Sequence, residues 1–82
     1  MFTFTAHIIA KDTKETVLRP RPVQAETAIA AARKVAEAYC GNDGRVNLSS
    51  SLAGGVLRYD IEADDEISLV LRVPDNYTTH GQ

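Results

Sequence analysis

Five carboxylates, Asp60, Glu62, Asp64, Asp65 and Glu66, crowd into the run Tyr59-Asp-Ile-Glu-Ala-Asp-Asp-Glu-Ile-Ser-Leu-Val-Leu71, and no basic residue interrupts them. Acids gathered in this way can hold a cation or present negative charge to a basic partner. The first use fits poorly, because the run lacks the glycine and the long ligand loop of a calcium hand, which leaves at most a weak cation site. The second fits the charge balance. The formal net charge is −2, so without these five acids the rest of the chain carries +3. So lopsided a field predicts an oriented, charged partner.

The other reactive side chains are scattered. Cys40, His7 and His80 have no metal-ligand spacing. A nucleophile needs a neighbouring base held in place, and the two histidines lie on the first strand and near the C-terminus. Cys40 would close a helix, where the dipole raises a thiol pKa. Ser49-Ser-Ser51 reads as a strand end or loop, and Ala53-Gly-Gly55 lacks the spacing of a phosphate-binding loop and precedes a strand. The expectation is a protein with no catalytic residue, no metal and no cofactor. Arg19, Arg21, Arg33, Lys34 and Arg45 could form a basic patch for nucleic acid. The chain is nevertheless slightly acidic and offers no exposed aromatic pair for stacking, so direct nucleic-acid contact is the weaker alternative.

What positions these residues is a small α+β domain. Its 82 residues make one modest core. Phe2 to Ile9 alternates, with Phe2, Phe4, Ala6 and Ile8 on one side, as a half-buried strand does. Thr16 to Arg19 could return as a short edge strand. Arg19-Pro-Arg-Pro22 reads as an edge or a linker, because its two prolines lack a backbone donor. A helix is predicted from Ala28 to Tyr39, capped by Thr27 and ended by Gly41. Ala28, Ile29, Ala32, Val35, Ala36 and Tyr39 share the face expected to pack. Asn42-Asp-Gly44 is a turn, and Arg45 to Ser50 a strand with Val46 and Leu48 inward.

The last two strands are the best patterned. Leu57, Tyr59, Ile61 and Ala63 fall on one parity with Ile67, Leu69, Leu71 and Val73. Keeping both sets on one face requires an odd loop, Ala63 to Asp65 or Asp64 to Glu66, since a two-residue turn would flip one strand. Either loop puts Asp64 and Asp65 at an exposed tip beside Asp60 and Glu62. Like charges facing each other across a hairpin are destabilising, so a purely solvating role explains the cluster incompletely. Carboxylates spaced along a strand can instead imitate a phosphate backbone and occupy a basic nucleic-acid channel.

The approach Val23-Gln-Ala-Glu-Thr27, the helix Ala28 to Cys40 and the three-strand meander Arg45 to Val73 together resemble the small phage-borne anti-CRISPR proteins that place one helix on an antiparallel sheet. The likeness is one of architecture, size and acidity, and it transfers no functional residue by position. It implies a non-enzymatic inhibitor that binds a subunit of a CRISPR (Cas) effector complex in the host bacterial cytoplasm and blocks access to target DNA or the nuclease.

The fold expected is α+β: a single helix on a four- to five-stranded, mostly antiparallel sheet in two layers, spanning residues 1–74, with 75–82 a flexible tail. The core should hold Phe2, Phe4, Ile8, Ile29, Val35, Tyr39, Val46, Leu48, Leu57, Tyr59, Ile61, Leu69 and Leu71. Asp60, Glu62, Asp64, Asp65 and Glu66 are the candidate contact surface for a protein whose own surface is basic and built to bind nucleic acid. The lone cysteine and the lack of a leader-like N-terminus or a long apolar run point to a cytoplasmic protein away from membranes, a monomer or weak homodimer. The alternatives are a self-associating phage accessory protein that pairs through Ile9, Val70 and an edge strand, and a small nucleic-acid-binding domain.

Overall fold

The chain alternates short apolar ladders with turn residues, and in a computed structural model, which describes residues 1–41, 44–52, 54–75 and 77, each ladder becomes a strand. The elements are β1 (Phe2–Ala10), β2 (Thr16–Ala25), α1 (Ala28–Cys40), β3 (Val46–Leu52), β4 (Val56–Ile61) and β5 (Asp64–Arg72). All neighbouring strands pair antiparallel in one five-stranded sheet of order β2-β1-β5-β4-β3. The helix lies on one face, so the fold is α+β in two layers.

The core sits between α1 and the middle of the sheet. Phe4, Ala6 and Ile8 of β1, Leu57, Tyr59 and Ile61 of β4, and Ile67, Leu69 and Leu71 of β5 are buried against it. Their alternation follows from the strand pleat, which sends every second side chain to the helix. β5 is the central strand, and its inward Leu69 and Leu71 have apolar partners on both sides, Ile8 and Ala6 of β1 and Tyr59 and Leu57 of β4.

The helix begins and ends where local chemistry dictates. The Thr27 hydroxyl accepts from the Ala30 N–H at 3.2 Å, and Gly41 adopts the left-handed conformation with φ 72° while its N–H reaches the Glu37 carbonyl. A second cap comes from far along the chain: the Ala28 N–H donates to the Tyr77 hydroxyl at 2.9 Å. The Tyr77 ring also meets Phe2 and Phe4 edge-to-face, with centroids 5.0 Å away in each case. Of the segment expected to be a flexible tail, Tyr77 is therefore seated on the core, whereas positions 76 and 78–82 lie outside the described residues. After the helix, Gly44 packs so closely that a Cβ there would lie 2.6 Å from the Arg33 carbonyl oxygen. With φ +70° as well, that position admits only glycine without rearrangement. Asn42 and Asp43, the rest of the expected turn, and Ala53 of the following one are outside the described residues.

Several expectations need correction. Of the two readings of Arg19 to Pro22, the edge holds and the linker does not: the short strand expected over Thr16 to Arg19 runs on to Ala25, through both prolines. It can do so because it is an edge strand, where a missing donor on the open side leaves no partner unsatisfied. The buried helix face is Ala28, Ala31, Ala32, Val35 and Ala36, while Ile29 and Tyr39 are 40% and 42% exposed. The alanine stripe, not the larger residues, faces the sheet because small side chains let the helix approach closely while the strands supply the volume. Leu48 has the inward parity but is 43% exposed, since β3 is the far edge strand, and Val46 and Phe2 are only half-buried.

The β4–β5 connection also differs from expectation. The two strands are joined by Glu62 and Ala63 alone, a two-residue turn. The apolar parity survives because a bulge intervenes: Asp60 pairs with Ser68, but Ile61 pairs with Asp64, so Asp65, Glu66 and Ile67 have no counterpart in β4. The bulge absorbs the flip that the tight turn would otherwise impose.

Candidate interaction surface at the acidic end of the sheet

The turn and the bulge together decide where the five acids stand. All five lie at the end of the sheet where β4 becomes β5, but they do not form a single row. Asp60 is on the helix-free face, between the inward Tyr59 and Ile61, and its carboxylate pairs with the Lys11 ammonium at 3.1 Å. Asp64 turns its Oδ1 to the Glu66 N–H at 3.0 Å, an Asx turn that stabilises the start of the bulge. It also lies close enough to the C-terminus of α1 to act on Cys40.

Glu62, Asp65 and Glu66 are exposed and make no side-chain hydrogen bond or ion pair among the described residues. Glu62 is held through its backbone, whose N–H donates to the Arg45 carbonyl at 3.1 Å, and the Glu66 carbonyl accepts from the Lys11 N–H at 2.9 Å. Glu62 and Glu66 thus stand on backbone tied to the residues flanking β3 and β1, and Asp65 lies in the bulge between them. What the arrangement offers is an exposed, negatively charged end of the sheet. Among the described residues, no group of three or more His, Cys, Asp or Glu side chains comes together to hold a metal ion.

The other reactive groups stand apart from this end or are muted. His7 lies on the helix-free face, opposite Val70 in β5, and burial there pushes its imidazole below the usual pKa. Cys40 is half-buried at the end of α1. Burial raises its thiol pKa, and the nearby Asp64 carboxylate raises it further. Burial also raises the Tyr59 phenol. His80 is outside the described residues.

Sequence reasoning grouped five basic residues, and the fold separates them. Arg21 and Lys34 line one groove between β2 and α1. The backbone of Arg33 is packed against Gly44, ahead of Arg45 and β3. Arg19 is exposed on the β2 edge. No signal in the sequence announced the groove, because its walls come from two elements whose relative placement is a tertiary property. No helix among the described residues is long and apolar enough to cross a membrane.

Comparison with protein families, with curated proteins and with solved structures found no match to this chain. Its class is therefore the α+β architecture itself, and the functional reading rests on its own surfaces.

Proposed function

We propose that this protein is a non-enzymatic, protein-binding inhibitor whose acidic sheet end engages a basic, nucleic-acid-binding surface on another protein. In its most specific form the reading makes it an anti-CRISPR protein that occupies the DNA path of a Cas effector subunit as a DNA mimic. The observation that carries it is the division among the five acids. Asp60 and Asp64 are committed to an ion pair and a turn, while Glu62, Asp65 and Glu66 stay exposed and unpartnered. A cationic partner would supply these carboxylates with the counter-charges that they lack in the isolated protein.

The test is a pull-down at low and high salt with the tagged protein and its Glu62→Gln/Asp65→Asn/Glu66→Gln variant. The reading expects a nucleic-acid-handling protein retained by the wild type at low salt, released at high salt and not captured by the variant. Equal capture by both proteins would remove the acids from the interface.

A second reading, self-association, is supported by the bare β3 edge. The strand Val46-Asn-Leu-Ser-Ser-Ser-Leu52 contains no proline and no charge, and Leu48 and Leu52 are 43% and 46% exposed. Edges of this kind are open to pairing with a second copy. Light scattering decides it: a dimer at high micromolar concentration that Ser49→Lys converts to monomer supports pairing through β3, and a strictly monomeric wild type excludes it.

A further inference from the structure

A helix is about 10 Å across, whereas five strands about 4.8 Å apart span roughly 20 Å, so one helix cannot cover this sheet. α1 follows directly from β2 and touches it, yet the two do not close against each other along their whole length. Between them the structure has a groove of about 300 Å³ lined by Leu18, Arg21, Pro22, Val23, Lys34, Val35, Ala38 and Tyr39. Leu18, Val23, Val35 and Ala38 make an apolar floor, and the exposed Tyr39 ring adds an aromatic wall.

The two charged side chains that line the groove are both cationic, and no carboxylate lines it. Arg21 reaches the helix side because its position pairs with the inward Ala6 of β1. Its guanidinium makes no hydrogen bond or ion pair among the described residues. Lys34 comes from α1, and its ammonium donates to the Gln24 carbonyl at 2.7 Å. That bond holds the charge at the rim and leaves two of its donors unused. An apolar cleft with a few convergent polar groups is the usual construction of a small-molecule site, and this volume lies at the small end of that range.

We propose that this groove binds a small amphipathic carboxylate, an aryl or medium-chain alkyl acid, with its apolar body on Val23, Val35, Ala38 and Tyr39 and its carboxylate between Arg21 and Lys34. The planar Arg21 fork matches a carboxylate in two-point contact, and Lys34 supplies a point charge from the opposite wall. The apolar floor disfavours a bare inorganic anion, and the absence of lining acids disfavours a cation. The site is independent of the acidic sheet end, so either can fail without the other.

The test is a methyl and amide NMR titration of the full chain with 3-phenylpropanoate and with octanoate, using 3-phenylpropanol as the uncharged control. Saturable shifts at Leu18, Val23, Val35 and Ala38 are expected, with the alcohol binding at least about five-fold more weakly, as a lost charge-assisted contact would give. Arg21→Gln and Lys34→Gln should each weaken both acids by a similar factor. Ala38→Phe, which fills the groove from an exposed helix position, should abolish binding without lowering the melting temperature. Absence of saturable shifts at millimolar ligand, shifts centred instead on Ile9, Val56 and Val70 of the opposite face, or equal affinity for acid and alcohol would overturn the proposal.

Discussion

The acidic end of the sheet and the groove beside β2 carry opposite charge, and they are built on different plans. At the acidic end, Glu62, Asp65 and Glu66 stand exposed on a turn and bulge, where charge dominates. Beside β2, Arg21 and Lys34 flank a concave apolar floor, with modest charge but shape. Exposed charge works at long range and suits another macromolecule's surface, where it governs encounter rate and salt sensitivity. Concave apolar surface with two cations suits a small molecule that can be partly desolvated. Both depend on the same central strands, and a set of substitutions can separate shared support from local role.

The largest effect should come from removing that shared support. Leu69→Ala on the central strand deletes a fully buried side chain, and a loss of about 2–5 kcal/mol in a denaturant titration is expected. Because small domains are only marginally stable, both surfaces should be lost together. Retention of the wild-type melting temperature would show that the core is misassigned.

A smaller effect should be confined to the acidic end. Asp64→Ala removes the acceptor for the Glu66 N–H and should cost about 1 kcal/mol, whereas Asp64→Asn, which keeps an acceptor oxygen, should cost less. Equal losses in the two variants would mean that charge, not the Asx turn, is what Asp64 contributes. Neutralising Glu62, Asp65 and Glu66 together should leave the fold intact and stabilise it by a few tenths of a kcal/mol through relief of like-charge repulsion. Lys34→Gln, by contrast, should change stability by less than about 0.5 kcal/mol, as surface substitutions usually do. Thermal denaturation of these variants side by side would show whether only the acidic end carries repulsion.

The smallest expected effect belongs to neither surface and serves as a control on the helix-free face. Burial holds the folded His7 pKa below its usual value, so as pH falls through about 6.5 the unfolded chain takes up the proton first. The contribution of His7 is therefore complete above that pH and is lost progressively below it. The melting temperature of His7→Gln should fall less than that of the wild type between about pH 7 and about pH 5. A parallel decline would place His7 in full contact with water.

The fold was legible in the sequence wherever the signal was local. Thr27 and Gly41 bound the helix because caps are written in one or two residues, and the alternation of Leu57, Tyr59 and Ile61 with Leu69 and Leu71 put β4 and β5 on the same face. What escaped was tertiary. Two prolines in β2 left an edge strand and a linker both open, and only the order of the strands decides for the edge. The bulge at Ile61 and Asp64 is a property of two strands and a third neighbour, so parity alone misjudged the turn while predicting the faces correctly. Ile29 and Tyr39 looked like core because they are large, yet the sheet selected the alanines between them.

The candidate site was legible in part. Composition marked the five acids, but only the geometry separates Asp60, paired to Lys11, and Asp64, turned to its own backbone, from the three that remain free. Tyr77 lies beyond any periodic segment, and nothing in its neighbourhood announced that its hydroxyl would cap α1.

The central claim is that the acidic sheet end competes with nucleic acid for a basic protein surface. Its most direct test is an electrophoretic shift assay of target-DNA binding by purified CRISPR effector complexes of several types, with added wild-type protein or its Glu62→Gln/Asp65→Asn/Glu66→Gln variant. The wild type is expected to displace DNA from at least one effector, more weakly as salt rises, and the folded variant is not. Undiminished DNA binding by every effector, or equal displacement by the variant, would contradict it.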